Sequence, residues 1–114
     1  MINKIYRKLV EGPSPGVVFS TEQAAGTRTD RSGTITAGGT AQSLMVARAG
    51  RFGYQIINTS SEVFYVNDLG ATATTSSRPV QPGATYESPP NDRPIAAISI
   101  LGATTGQSFS AYEY

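Results

Sequence analysis

The 114-residue chain contains no cysteine, no histidine and no tryptophan, and only 15% of its residues are charged. Without cysteine there can be no disulfide, thiolate metal site or cysteine nucleophile, and a small secreted domain would normally carry such staples. Without histidine the commonest general base and metal ligand are missing, and with them every Ser-His-Asp arrangement. No apolar run approaches the ~20 residues that a membrane-spanning helix needs. The stretch from Met1 to Val10 is too short and too charged for a signal-peptide core. These absences predict a soluble, non-secreted protein with no cofactor and no metal. Nothing in the chain supports catalysis, so an enzyme is not expected.

What is present favours strands. Ser and Thr number 12 and 13, Gly 12 and Pro 7, while the usual helix formers Leu, Glu and Lys are scarce. The most strongly patterned stretch runs from Arg51 to Asn67. Phe52, Tyr54 and Ile56 alternate with Gly53, Gln55 and Ile57; after the polar break Asn58-Thr-Ser-Ser61, Val63 and Tyr65 alternate with Phe64 and Val66. Period-two apolar residues bounded by turn formers predict a hairpin, central in a sheet covered on both sides. Further short strands are expected at Thr34–Thr36, Gln42–Ala47, Ala84–Glu87, Ile95–Leu101 and Gln107–Glu113, with 102–106 as a hairpin loop. Ala71–Ser77 reads as an edge strand or a loop, and the proline-rich run Ser88–Pro94 as an exposed loop. The expected fold is all-β: a single antiparallel β-sandwich, jelly-roll or Ig-like, of about 7–8 short strands at the spacing typical of such domains.

The first third reads differently. Ile2, Ile5, Tyr6, Leu9 and Val10 recur at helical spacing opposite Lys4, Arg7 and Lys8, ahead of the linker Gly12-Pro-Ser-Pro-Gly16. A helix that short needs something to dock on; a strand-like or disordered arm fits equally well. Val17-Val-Phe19 has the character of a short pairing strand. Ser20–Ser32 shows no apolar period, so residues 1–31 are read as an arm with its linker and 32–114 as the sandwich domain. Ile2, Lys4, Ile5, Tyr6, Arg7, Lys8 and Leu9 are the candidate partner-binding residues. Charge is split: residues 1–57 carry net +4 and residues 58–114 net −3. Such a division suits head-to-tail contact between copies or neighbours, and chance clustering explains it equally well.

Other motifs carry less. Asn67-Asp68 and Asn91-Asp92 offer oxygen ligands for a hard cation, but these are also ordinary turn residues, the reading we favour. The run 102–106 lacks the lysine of a phosphate-binding loop. Tyr86, Tyr112 and Tyr114 are candidates for stacking on a glycan or anchoring a protein interface. From Ser32 onward four arginines face five carboxylates, which argues against nucleic acid. A membrane surface is disfavoured too, because the amphipathic stretch 2–10 has three positive charges and no tryptophan.

The order of features over residues 33–114 resembles small accessory virion proteins of tailed bacteriophages. The likeness runs through Gly33-Thr-Ile-Thr36, Gln42-Ser-Leu44, the stretch from Arg51 to Asn58, and Val63-Phe-Tyr-Val-Asn67. It continues through Val80-Gln-Pro-Gly83, the run from Ala97 to Gly106, and Ala111-Tyr-Glu-Tyr114. The resemblance implies a non-enzymatic β-sandwich, made in the host cytoplasm and located in the virion. Such a protein is expected to decorate or cement the capsid as a homo-oligomer, with the major capsid protein or another virion protein as its partner. Neck, tail or fibre-base placement is the second expectation. From a different class, the alternative is a carbohydrate-binding module that recognises host glycans.

Overall fold

The computed structural model describes residues 27–114. Those residues contain no helix. They form nine short strands: β1 (Thr29–Asp30), β2 (Gly33–Thr34), β3 (Gln42–Met45), β4 (Tyr54–Asn58), β5 (Phe64–Asn67), β6 (Arg78–Val80), β7 (Thr85–Glu87), β8 (Ile98–Gly102) and β9 (Ser108–Glu113). All pairings are antiparallel and fall into two sheets. The first has the order β1-β9-β4-β7, with β2 also on β9; the second has the order β3-β8-β5-β6.

The two sheets face one another across a single apolar core, an arrangement compatible with a β-sandwich. Alternation does the sorting. Tyr54 and Ile56 of β4, Phe64 and Val66 of β5, Ile98 and Ile100 of β8, and Phe109 and Ala111 of β9 all point inward and are buried. Ile35, Leu44, Met45 and Val80 complete the cluster. Phe64 and Phe109 meet edge-on across the two sheets, ring centroids 6.1 Å apart. Each large side chain buried in this way contributes roughly 1.5–3 kcal/mol.

The expected hairpin over 51–67 is not formed. Both strands exist and both are central, but β4 belongs to the first sheet and β5 to the second. The polar break is an arch between sheets, held by a buried amide. Asn58 donates from Nδ2 to the carbonyls of Glu62 and Val80, both at 2.8 Å, while its Oδ1 accepts from the Ser60 amide and hydroxyl. Turn chemistry was legible at Asn58–Ser61, but an Asx turn can carry the chain out of a sheet as readily as back along it. The 102–106 segment repeats the lesson: it leads from β8 in the second sheet to β9 in the first. Gln107 braces it, donating to the carbonyls of Glu62 and Val63 and accepting from the Thr104 amide. Among the described strands, only β5 and β6 are both consecutive and paired.

Two further differences concern boundaries. The predicted arm, 1–31, overlaps the described chain at 27–31, and there Thr29 and Asp30 pair with Glu113 and Tyr112. The Arg31 amide continues the edge by donating to the Ala111 carbonyl at 2.7 Å. A boundary at Ser32 therefore cuts through an edge pairing. Phe52, expected to share the inward face of Tyr54 and Ile56, is instead 54% exposed: its amide and that of Gly53 both donate to the Tyr114 carbonyl, an irregularity that breaks the alternation ahead of β4. The seven candidate residues between Ile2 and Leu9, and Val17–Phe19, lie outside the described residues.

Candidate interaction surface at one end of the sheets

The loops gather at two ends of very different chemistry. One end collects the β2–β3, β4–β5, β6–β7 and β8–β9 connections. Its polar groups satisfy one another: Thr104 donates to Glu62 at 2.7 Å, Thr59 to Ser108 at 2.7 Å, and Gln107 to the Glu62 carbonyl. Glu62 is the only charged residue there among those described. The other end collects the β3–β4, β5–β6 and β7–β8 loops and the end of β9. The remaining described charges lie on that half.

A buried ion pair organises the charged end. Arg51 is fully buried and donates from Nε to Glu113 Oε1 at 2.8 Å. Its other nitrogens reach the carbonyls of Val46 in the β3–β4 loop and of Pro94 and Ala96 in the β7–β8 loop. One guanidinium thus ties two loops to the last strand. The other Glu113 oxygen accepts from Arg31 Nε at 2.6 Å, and Arg48 approaches to 3.5 Å. Burial pushes the Glu113 carboxyl up, but the hydrogen bonds and charges of Arg51 and Arg31 outweigh it and hold the group below its ordinary value.

Gly53 lets the strands close here. A Cβ at that position would lie 2.7 Å from both the Ser88 Oγ and the Tyr114 hydroxyl, so only glycine admits these side chains. Ser88 then accepts from the Tyr54 amide at 3.0 Å. The Tyr54 hydroxyl donates to Asp68 at 2.9 Å; burial first, and then the Asp68 carboxylate, push that phenol far above its usual range.

Around this polar frame lie the large apolar side chains that remain exposed: Val46, Phe52, Leu69 and Ile95. All four belong to the charged end. The Arg48 amide donates to the Ile95 carbonyl at 2.8 Å, which joins the loops that carry Val46 and Ile95. Leu69, 84% exposed, and Ile95 share a cleft of about 330 Å³ with Tyr86, Asp68, Asp92, Arg78 and Arg93. Partly exposed rings here each carry a guanidinium on one face: Arg93 over Phe52 at 4.5 Å, Arg78 over Tyr86 at 4.3 Å and Arg28 over Tyr112 at 4.8 Å. Exposed apolar and aromatic groups mixed with arginine are the composition of protein-binding surfaces.

Several sequence candidates meet at this end. Asp68 and Asp92 line the same cleft. Asn67 is a turn residue, its Oδ1 accepting from the amides of Leu69 and Ala71. No group of three or more His, Cys, Asp or Glu among the described residues is placed to hold a metal ion. Tyr86 lies in the cleft; Tyr112 lies against Arg28 beside β1 and pairs at 6.0 Å with Tyr114, whose hydroxyl donates to Glu87 of β7 at 3.2 Å. Sequence reasoning missed Leu69, Ile95, Val46 and Phe52 as surface groups. A usable signal existed at Leu69, an aliphatic side chain set inside the turn Asp68-Leu-Gly70. Arg51 and Glu113 offered none, being 62 positions apart.

Comparison with protein-family models, with curated proteins and with solved structures gives no match for this chain.

Proposed function

We propose that this chain is a non-enzymatic structural protein that acts by docking its charged, apolar-studded end on another protein. Its strand orders, β1-β9-β4-β7 and β3-β8-β5-β6 with the chain passing repeatedly between sheets, support a jelly-roll β-sandwich. The observation that carries the reading is the gathering of Val46, Phe52, Leu69 and Ile95 among arginines at one end, while the opposite end is polar and self-satisfied. Nothing in the interior of either sheet requires such groups to be exposed, and their clustering makes a binding face.

The resemblance over residues 33–114 supports the virion of a tailed phage as the setting of this docking. The protein decorates or cements the capsid there, with the major capsid protein or another virion protein as partner and the basic arm 1–31 as a second point of attachment. Neck, tail or fibre-base placement follows the same physics with a different partner. Mass spectrometry of purified capsids and separated tails distinguishes these settings. Recovery of the chain from neither particle defeats the virion reading. Glycan binding ranks behind docking because the Tyr86 ring already carries Arg78 on one face. Retention on immobilised host glycans that is lost in Tyr86→Ala would reverse that ranking.

A further inference from the structure

We propose that residues 27–34 form a strap along β9 that acid releases through Glu113 while the rest of the sandwich stays folded. The strap is held without apolar anchors. Only Thr29 in this segment is even partly buried, and the first core residue is Ile35, just beyond it. β1 and β2 supply two residues each to the pairing. Between them the Arg31 amide donates to the Ala111 carbonyl at 2.7 Å, and the Ser32 hydroxyl accepts from the Ala111 amide at 3.0 Å. Arg28 lies over the Tyr112 ring. The strap's one ion pair with the sandwich, among the described residues, is that of Arg31 Nε with Glu113 Oε2 at 2.6 Å. A segment with so little buried apolar surface opens at a lower free energy than the core does.

Glu113 divides its two oxygens between guanidiniums of unequal standing. Oε1 takes Arg51, which is fully buried and also holds the carbonyls of Val46, Pro94 and Ala96. Oε2 takes Arg31, which is 41% exposed. A protonated carboxyl turns one oxygen into a donor and cannot accept fully from both. Leaving the buried Arg51 without its acceptor is costly, whereas Arg31 can turn to water at little cost. The strap is therefore the element that lets go. Arg48, 3.5 Å from Oε1, belongs to a loop that stays tied, because its amide donates to the Ile95 carbonyl and its carbonyl accepts from the Arg51 amide. The other ionisable groups nearby face elsewhere: Tyr54 donates to Asp68, and Glu87 accepts from Tyr114. Asp30 adds to the effect within the strap. The Ser32 hydroxyl, and then the Ser32 amide, hold its carboxyl below the ordinary value. Burial raises the Glu113 carboxyl, and the hydrogen bonds from Arg51 and Arg31 more than reverse this. Attachment is thus complete above the ordinary carboxylate value near 4 and is lost as pH falls through the lower values of the strapped state. The device belongs to the free protein and does not depend on the docking reading.

Backbone NMR order parameters of the full chain, followed from pH 7 down to about pH 2.5, test this directly. At pH 7 the amides of Thr29 to Thr34 should be as ordered as those of β4 and β8, near 0.85, and in acid they should fall below about 0.6 while β4 and β8 keep their values. Glu113→Gln, which offers one acceptor and one donor as the protonated acid does, should show the loosened strap already at pH 7. Arg31→Met should do the same with the Glu113–Arg51 pair intact, and it decides the matter if Glu113→Gln does not fold. Asp30→Asn, which keeps an acceptor for Ser32 but cannot titrate, should retain the acid response. A strap that stays ordered throughout, a strap that loses order only together with β8, an ordered strap in Arg31→Met at pH 7, or a response abolished by Asp30→Asn would each overturn the proposal.

Discussion

Arg51 and Glu113, 62 positions apart, meet at 2.8 Å with both side chains buried, and the contact locks three separate segments of the charged end together. Its role is structural, but the surface built on it is the functional candidate. Arg51 holds the carbonyls of Val46, Pro94 and Ala96, and Val46 and Ile95 are displayed by those same two loops.

Stability should therefore fall at acid pH through Glu113. Its folded-state carboxyl lies below the ordinary value. The stabilisation is thus present above the unfolded-state value near 4.3 and is lost as pH falls through the lower folded value. Urea unfolding at pH 7 and pH 3 should show the loss in the native chain and less of it in Glu113→Gln. At pH 7, Arg51→Met leaves Glu113 buried beside only partly exposed arginines and should cost about 3–5 kcal/mol. A loss below about 1 kcal/mol would contradict the structural role.

At the alkaline limit Tyr54 has the opposite effect. Its phenol is held neutral by burial and by the Asp68 carboxylate, well above the ordinary value of 10. The contribution is complete below pH 10 and declines above it, because the unfolded chain ionises there and the folded one does not. Ultraviolet titration should show one tyrosine ionising only as the protein unfolds, and Tyr54→Phe should remove that step.

Asn58→Ala tests the arch between the sheets. The substitution strands the buried Val80 carbonyl and removes both bonds that shape Ser60, so a loss of about 2–4 kcal/mol is expected. Thermal unfolding reads it directly. Thr59→Ala, exposed on the same arch, should cost far less.

Leu69→Ser and Ile95→Ser separate folding from docking. Leu69 lies largely in solvent and Ile95 is about half exposed, so the loss of stability should stay at about 1 kcal/mol or below. Incorporation into particles, measured by co-sedimentation, should nonetheless drop at least about tenfold, as expected for residues central to an interface. Full occupancy of the doubly substituted protein would remove this end as the docking face.

Much of the fold was legible because period-two burial is a local property. Tyr54 and Ile56, and Phe64 and Val66, share a face as expected and are buried, but their alternating neighbours Ile57 and Tyr65, expected to be covered as well, are only half-buried on the outer faces. The partners of those strands were not legible. Asn58–Ser61 and 102–106 carry hairpin-like turn chemistry, yet each sends the chain to the opposite sheet. Which way a polar turn leads depends on buried amides such as Asn58 and Gln107, whose acceptors lie on other strands. The candidate site was less visible still. Asp68, Asp92 and Tyr86 stood out by type, but nothing local linked them to Leu69 and Ile95.

By itself the sequence determined that the protein is built of strands, that the apolar alternation selects its core, and that cysteine, histidine and tryptophan chemistry are absent. Those properties depend on residue type and near-neighbour spacing. Only the tertiary structure decided how strands are shared between two sheets, that Arg51 and Glu113 meet, and that the exposed apolar groups and nearly all described charges fall on one half. These depend on contacts between distant segments, where the constraint is that buried hydrogen-bonding groups and charges must find partners once the core has closed.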